Sequence, residues 1–200
     1  GWGQVMMAQP LKSCLDAALA DSAVPAPRRR VIYLSPQGQT FTQAKARQLK
    51  ADYDQLVLVC GHYEGVDERF IEACVDEELS IGDFVLTGGE LGAMVVTDCV
   101  CRMVPGVLSD TECYTGESHW AGRLAYPQYT RPETWGGRTG PEVLRGGNHA
   151  EIEAWRTRQS LERTLVKRPE LFRETPPTPD EQRLLDKIRR GRSRPQLTEP

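Results

Sequence analysis

The 200-residue chain has no C-x-x-C pair, no run of about 18 apolar residues, and neither G-x-G-x-x-G nor G-x-x-x-x-G-K-[ST]. The first absence argues against a cysteine-ligated zinc site, the second excludes a membrane-spanning helix, and the third leaves a dinucleotide or nucleoside triphosphate site without positive support. Histidine is scarce too: His62, His119 and His149 are far apart and give zinc little weight. Nothing at the start reads as a charged segment followed by an apolar stretch and a small-residue cleavage site. The chain opens on Gly1 rather than methionine, so it reads as part of a longer protein. Six cysteines (Cys14, Cys60, Cys74, Cys99, Cys101, Cys113) lie mostly in apolar segments without regular spacing, which predicts free, buried thiols in a reducing cytoplasm.

What is present describes a globular chain. The apolar fraction of 39% and the charged fraction of 26% suffice for a real core, while 18 glycines and 14 prolines imply many turns. The net charge of -3 hides a strong segregation. Residues 60–120 hold 13 acids and two bases, Arg69 and Arg102, whereas residues 156–195 hold 12 bases and six acids. Such a basic C-terminal part suits a polyanion, although charge runs are also ordinary solvated faces.

Along the chain, Leu11, Leu15, Ala18 and Leu19 have helical spacing. A buried strand follows at Val31–Leu34, ended by Ser35-Pro36-Gln37-Gly38; Gln43–Lys50 permits a helix, and Gln55–Cys60 reads as a parallel-sheet strand. A helix at Asp67–Glu77, a short strand at Asp83–Leu86 and a buried helix at Glu90–Met103 complete an α/β region. Residues 109–147 form a polar, glycine- and proline-containing linker. A helical domain starts near Asn148, where Asn148 and Glu151 have capping-box spacing; Thr178-Pro179-Asp180-Glu181 repeats the device ahead of Leu184, Leu185 and Ile188.

Three glycine-bearing turns each follow an apolar stretch: Tyr33 to Gly38, Gly61 to Gly65, and Ser80 to Glu90. In an α/β sheet such turns sit beyond the carboxyl ends of strands, where glycine lets the backbone approach a ligand. Taken with Arg102-Met103-Val104-Pro105-Gly106, Tyr126-Pro127-Gln128-Tyr129-Thr130-Arg131-Pro132 and Gly147-Asn148-His149-Ala150-Glu151-Ile152, they resemble, in order, the bacterial tRNA (guanine-nitrogen-1)-methyltransferase family, TrmD, of the SPOUT class.

The resemblance implies an α/β fold with a parallel sheet and a deep C-terminal trefoil knot, followed by a small all-α C-terminal domain. Its domains would be an N-terminally incomplete, knotted cofactor-binding part at residues 1–108, a linker at 109–147 carrying the catalytic carboxylate, and a helical RNA-binding part at 148–200. S-adenosylmethionine would lie against Tyr33, Leu34, Ser35 and Pro36 of the first loop. The second loop would contribute Gly61, Tyr63 and Glu64, and the third Ile81, Gly82, Phe84, Leu86, Gly88 and Gly89. Glu64 would also sit near a divalent ion, Mg²⁺.

The implied reaction methylates nitrogen-1 of the guanine on the 3′ side of the tRNA anticodon. That nitrogen carries a proton, so the site needs a base and a donor for the neighbouring carbonyl oxygen. Arg102 matches the family's essential arginine. The family's base is an aspartate before a serine; here Glu117 precedes Ser118, which keeps the carboxylate on a side chain one methylene longer. His62 stands where arginine is common, and Gly92 where proline is usual. The family acts as a homodimer, each site using one subunit's knot and the other's linker. Arg156, Arg158, Arg163, Lys167 and Arg168 would grip tRNA phosphates, and Trp120, Tyr126 and Tyr129 are stacking or core residues. Two other readings compete: a tRNA-binding module that has lost its chemistry through truncation or the Glu117 change, and a nicotinamide-dependent oxidoreductase, whose glycine fingerprint is missing.

Overall fold

The computed structural model describes residues 4–110 and 112–192. They fall into two compact units, one ending at residue 111 and one beginning at residue 112.

The first unit is α/β. Strands β1 (Arg29–Thr40), β2 (Gln55–Cys60) and β3 (Glu77–Ser80) form a parallel sheet in the order β2-β1-β3. Parallel neighbours need crossovers, and helices supply them: α2 (Gln43–Asp52) between β1 and β2, α3 (Glu68–Cys74) between β2 and β3. Helix α1 (Ala8–Ala20) precedes the sheet and α4 (Glu90–Cys101) follows it. Side chains of β1 alternate between faces. Val31 and Tyr33 pack with Leu15 of α1, Val66 and Phe70. Ile32 and Leu34 point the other way, where α2 and α4 meet and bury Ala46, Leu49, Val96 and Val100. Thr42 caps α2 by accepting a hydrogen bond from the Lys45 amide, and Asp67 caps α3 through the Arg69 amide.

The strand predicted to stop at Leu34 runs on to Thr40, with an excursion inside it. Leu34 and Gln39 both register with Leu79, so Ser35–Gly38 leaves the ladder and returns to the same neighbour. Pro36 has no amide to give the ladder, which favours its expulsion. A Cβ at Gly38 would lie 2.5 Å from the Glu78 carbonyl carbon and the Leu79 amide nitrogen, so the return passes against backbone.

Three sequence expectations need correction here. The third strand is Glu77–Ser80, not Asp83–Leu86. Glu77 reads as a surface residue, yet Arg30 (3.0 Å) and Lys45 neutralise it while Leu79 is fully buried beside it. Burial works against the charged Glu77 carboxylate, but the Lys45 and Arg30 hydrogen bonds outweigh it and hold its pKa below the ordinary value. Ser80 then turns the chain, its hydroxyl donating to the Gly82 carbonyl at 2.9 Å, and Asp83–Leu86 becomes an exposed loop. Secondly, α4 is not buried all round: Gly92, Val96 and Val100, four residues apart, form a stripe facing inward, while Leu91, Met94 and Val95 are exposed. Thirdly, the cysteines are free but none is buried; Cys14, Cys101 and Cys113 are exposed and Cys60, Cys74 and Cys99 are half-buried.

The second unit contains a short helix α5 (Glu112–Thr115), a two-stranded ribbon β4 (Thr134–Trp135) and β5 (Arg138–Thr139), and helices α6 (His149–Lys167), α7 (Leu171–Glu174) and α8 (Pro179–Arg192). The Asn148 carboxamide oxygen accepts from the Ala150 and Glu151 amides at the start of α6. At α8 the capping box is complete: Thr178 Oγ1 accepts from the Glu181 amide, and the Glu181 carboxylate accepts from the Thr178 amide. Leu161, Leu185 and Ile188 form the core, flanked by Leu165, Phe172 and Leu184. Residues 122–125 dock on α6, where buried Thr164 Oγ1 accepts from the Leu124 amide (2.9 Å) and Ser160 Oγ donates to the Leu124 carbonyl (2.6 Å).

Candidate active site

At the carboxyl ends of β1, β2 and β3 lies an open cleft of about 240 Å³. Its walls are three loops: the Ser35–Gly38 excursion, residues 61–65 after β2, and residues 81–89 after β3. All the residues that the family resemblance would set against the cofactor line it: Tyr33, Leu34, Ser35, Pro36, Gly61, Tyr63, Glu64, Ile81, Gly82, Phe84, Leu86, Gly88 and Gly89.

The second and third loops are tied together. The Gly89 amide donates to the Gly61 carbonyl at 3.1 Å, and His62 pairs with Gly88 as an isolated antiparallel bridge. The His62 Nε2 then meets the Glu90 carboxylate, and this hydrogen bond holds the Glu90 pKa below the usual carboxylate range. Glycine at this junction is a packing requirement. A Cβ on Gly88 would fall 2.4 Å from a Glu90 oxygen and 3.0 Å from the His62 ring; one on Gly89 would fall 2.7 Å from the Cys60 Cα. The Gly89 overlap is with backbone, which cannot swing aside. Gly89→Ala is therefore expected to cost about 1–3 kcal/mol of stability, read as a lowered unfolding midpoint, as overpacking does elsewhere.

From below, the second loop is held by the Glu64 amide donating to the Gln4 carbonyl (3.0 Å) and the Gly65 amide donating to the His62 carbonyl (3.1 Å). At its tip Tyr63 adopts φ 59°, a left-handed conformation rare for a non-glycine residue, and its side chain is exposed. Tyr33 is buried beneath the cleft, and burial first, then Glu78 and Glu68, push its phenol pKa up. Apolar Leu34, Ile81, Phe84 and Leu86 complete the walls. Glu64 is the one carboxylate among the lining residues, and among the described residues no group of three or more His, Cys, Asp or Glu could hold a metal ion.

Arg102, half-buried, ends α4 in the first unit, its amide donating to the Asp98 carbonyl at 3.1 Å. Glu117 is exposed just after α5 in the second unit, its amide donating to the Tyr114 carbonyl at 3.3 Å.

The basic residues assigned to RNA lie on α6 and its end. Arg158 and Lys167 are exposed, and among the described residues neither has an ion pair. Arg156 instead lies over the Tyr126 ring (4.8 Å) and bonds Glu153 (2.6 Å), Arg168 pairs with Glu170, and Arg163 is half-buried with its Nε unpartnered. Sequence reasoning also left out the Gln37, Ser80, Val85 and Thr87 contributions to the cleft, although each sits in a loop already singled out. The His62–Glu90 contact had no signal, because the partners are 28 residues apart.

Comparison with known proteins agrees in one direction. A family model described as tRNA (Guanine-1)-methyltransferase TrmD matches residues 1–174. A protein named tRNA (guanine-N(1)-)-methyltransferase from Ruminiclostridium cellulolyticum is 54% identical over 176 residues, which cover 88% of this chain and 74% of the relative. Proteins of the same name from Xanthomonas axonopodis pv. citri and Neisseria gonorrhoeae are 52% and 50% identical, over 95% and 94% of this chain and 75% and 74% of their own lengths. No helix among the described residues is long and apolar enough to cross a membrane.

Proposed function

The chain belongs to the tRNA (guanine-1)-methyltransferase family, and from that membership we propose that it methylates nitrogen-1 of the guanine on the 3′ side of the tRNA anticodon, with S-adenosylmethionine as donor. The observation that carries the reading is the convergence of three glycine-bearing loops on one cleft at the carboxyl ends of parallel strands. Its walls fit a nucleoside with a methionine tail: apolar side chains for the flat faces, and backbone groups at glycine positions for the polar edges.

When bound, S-adenosylmethionine supplies an electrophilic methyl on a positively charged sulfur. The protein's part is to make guanine a nucleophile. Arg102 donates to the guanine carbonyl oxygen as negative charge builds there, and its planar guanidinium suits that acceptor. Glu117 takes the proton from nitrogen-1 as the nitrogen–methyl bond forms and the sulfur–methyl bond breaks, with the electron pair leaving on sulfur. The competence of Glu117 rests on positioning rather than basicity. Glu64, a lone exposed carboxylate in the cleft lining, could meet a divalent ion such as Mg²⁺ only together with substrate oxygens and water.

The rest of the reading follows the family: the three loops belong to a deep trefoil knot, residues 109–147 carry the base, and the helical part from residue 148, described as far as residue 192, holds RNA. Arg158 and Lys167, exposed on α6, hold phosphates, with Arg156, Arg163 and Arg168 on the same element shaping that surface. The active form is a cytoplasmic homodimer, a reading supported by exposed Leu91, Met94 and Val95 on α4. Calorimetric titration with S-adenosylmethionine, followed by guanine-bearing tRNA transcript and labelled methyl incorporation, tests the proposal. Binding then transfer is expected, and Gly89→Ala should weaken the binding step; absence of binding by the wild type would remove the cleft from the account.

A further inference from the structure

Among the aromatic side chains in residues 114–135, most are engaged within the protein. Tyr114 packs on Trp120 (4.9 Å between ring centroids), Tyr129 on Trp155 (6.3 Å), and Tyr126 lies under Arg156. Trp135 differs, with 74% of its surface exposed. It sits at the tip of the β4–β5 ribbon, whose two-residue turn is Gly136 (φ 55°) and Gly137 (φ 75°). Positive φ at both central positions is the hairpin turn that matches strand twist, so glycine at each makes the tip a defined structure. Thr134 and Thr139 hydroxyls meet at 3.1 Å across the ribbon, the Gly140 amide donates to the Glu133 carbonyl at 3.1 Å, and Arg145 pairs with Glu133 at its base.

Register places Arg138 directly opposite Trp135. Cross-strand partners project from the same face, so an indole and a guanidinium are presented side by side. Arg138 and the nearby Arg131 are exposed, and among the described residues neither guanidinium has a hydrogen bond or ion pair. A rigid, exposed aromatic plane beside unpaired guanidiniums is the chemistry that takes an unstacked nucleobase and its phosphate.

We propose that the β4–β5 ribbon is a nucleobase-stacking element: Trp135 stacks on an unpaired base of the bound RNA and Arg138 holds the adjoining phosphate. The proposal rests on the reading that the chain acts on tRNA, and adds a contact outside the basic face of α6. Steady-state methylation of a guanine-bearing tRNA transcript by wild type, Trp135→Ala, Trp135→Phe and Arg138→Ala tests it, with RNA affinity measured across salt concentrations. Trp135→Ala should raise KM for tRNA about tenfold, the size of one base–aromatic stack, and leave kcat and the melting temperature unchanged. Trp135→Phe should recover most of the loss, and Arg138→Ala should reduce the salt dependence by about one phosphate contact. Quenching of tryptophan fluorescence by the transcript should be smaller in Trp135→Phe. An active Trp135→Ala with unchanged KM overturns this proposal alone. So does a shift in its sedimentation, which would assign the tip to contact between copies of the chain. A wild type that neither binds RNA nor transfers methyl overturns the underlying reading as well.

Discussion

Arg102→Ala is expected to lower kcat for methyl transfer by about two to three orders of magnitude, the usual effect of removing one donor aimed at a developing oxyanion. Binding of S-adenosylmethionine should persist, because Arg102 lies outside the residues that line the cleft. Arg102→Lys would restore charge without the planar pair of donors, so only partial recovery is expected. The companion change, Glu117→Gln, removes the base while keeping size and polarity, and about 10²- to 10⁴-fold is the range for a positioned general base. Glu117→Asp should retain activity, because it keeps the carboxylate. Single-turnover methylation distinguishes these outcomes from slow product release, and thermal melting checks that each variant is folded. Transfer that survives both Arg102→Ala and Glu117→Ala would mean that neither residue has the assigned role.

Arg123→Ala should be the most damaging substitution for the second unit. The Arg123 side chain is only 9% exposed, and its guanidinium donates to both Glu181 carboxylate oxygens (3.0 and 3.2 Å) and to the Thr175 carbonyl (2.8 Å) while lying 4.7 Å over the Phe172 ring. One residue thus ties the segment before β4 to α7, α8 and the α8 capping box. Removal strands Glu181 as a half-buried charge, a loss of about 3 kcal/mol by comparison with other broken buried pairs. Exposed pairs such as Arg183–Asp180 should contribute less than about 1 kcal/mol. Burial raises the Glu181 pKa, but hydrogen bonds from Arg123 and the Thr178 amide outweigh it, leaving a net depression. A carboxylate depressed in the folded state contributes stability fully above its unfolded pKa, here the ordinary 4.5, and loses it as pH falls through the folded value. The gap in melting temperature between wild type and Glu181→Gln should therefore be widest at neutral pH and narrow below about pH 4.5. A gap that is flat with pH would contradict the ion-pair account.

Local patterns made some elements plain in advance. Gln55–Cys60 is a strand with the bounds its apolar run implies, and Asn148 and Thr178 start helices because their side chains reach amides two and three residues on. Polar pairing across long sequence separations was not legible. The acidic strand Glu77–Ser80 exists because Arg30 and Lys45, 47 and 32 residues earlier, neutralise Glu77, while the more apolar Phe84-Val85-Leu86 is left in a loop to line the cleft. The return of β1 after Pro36 was hidden for the same reason, since Leu79, the partner of Gln39, lies 40 residues away. The cleft residues themselves were legible through family resemblance, not through periodicity. Trp135 escaped notice because a tryptophan in a polar stretch reads as core until its exposure is known.

The most direct test of the central claim is the identity of the methylated nucleoside. The protein is incubated with S-adenosylmethionine and two tRNA transcripts that differ only in carrying guanine or adenine 3′ to the anticodon, and the digested nucleosides are separated by mass spectrometry. Appearance of 1-methylguanosine from the guanine transcript alone is the predicted result. Methyl found at another atom or nucleoside, or equally on both transcripts, would contradict it.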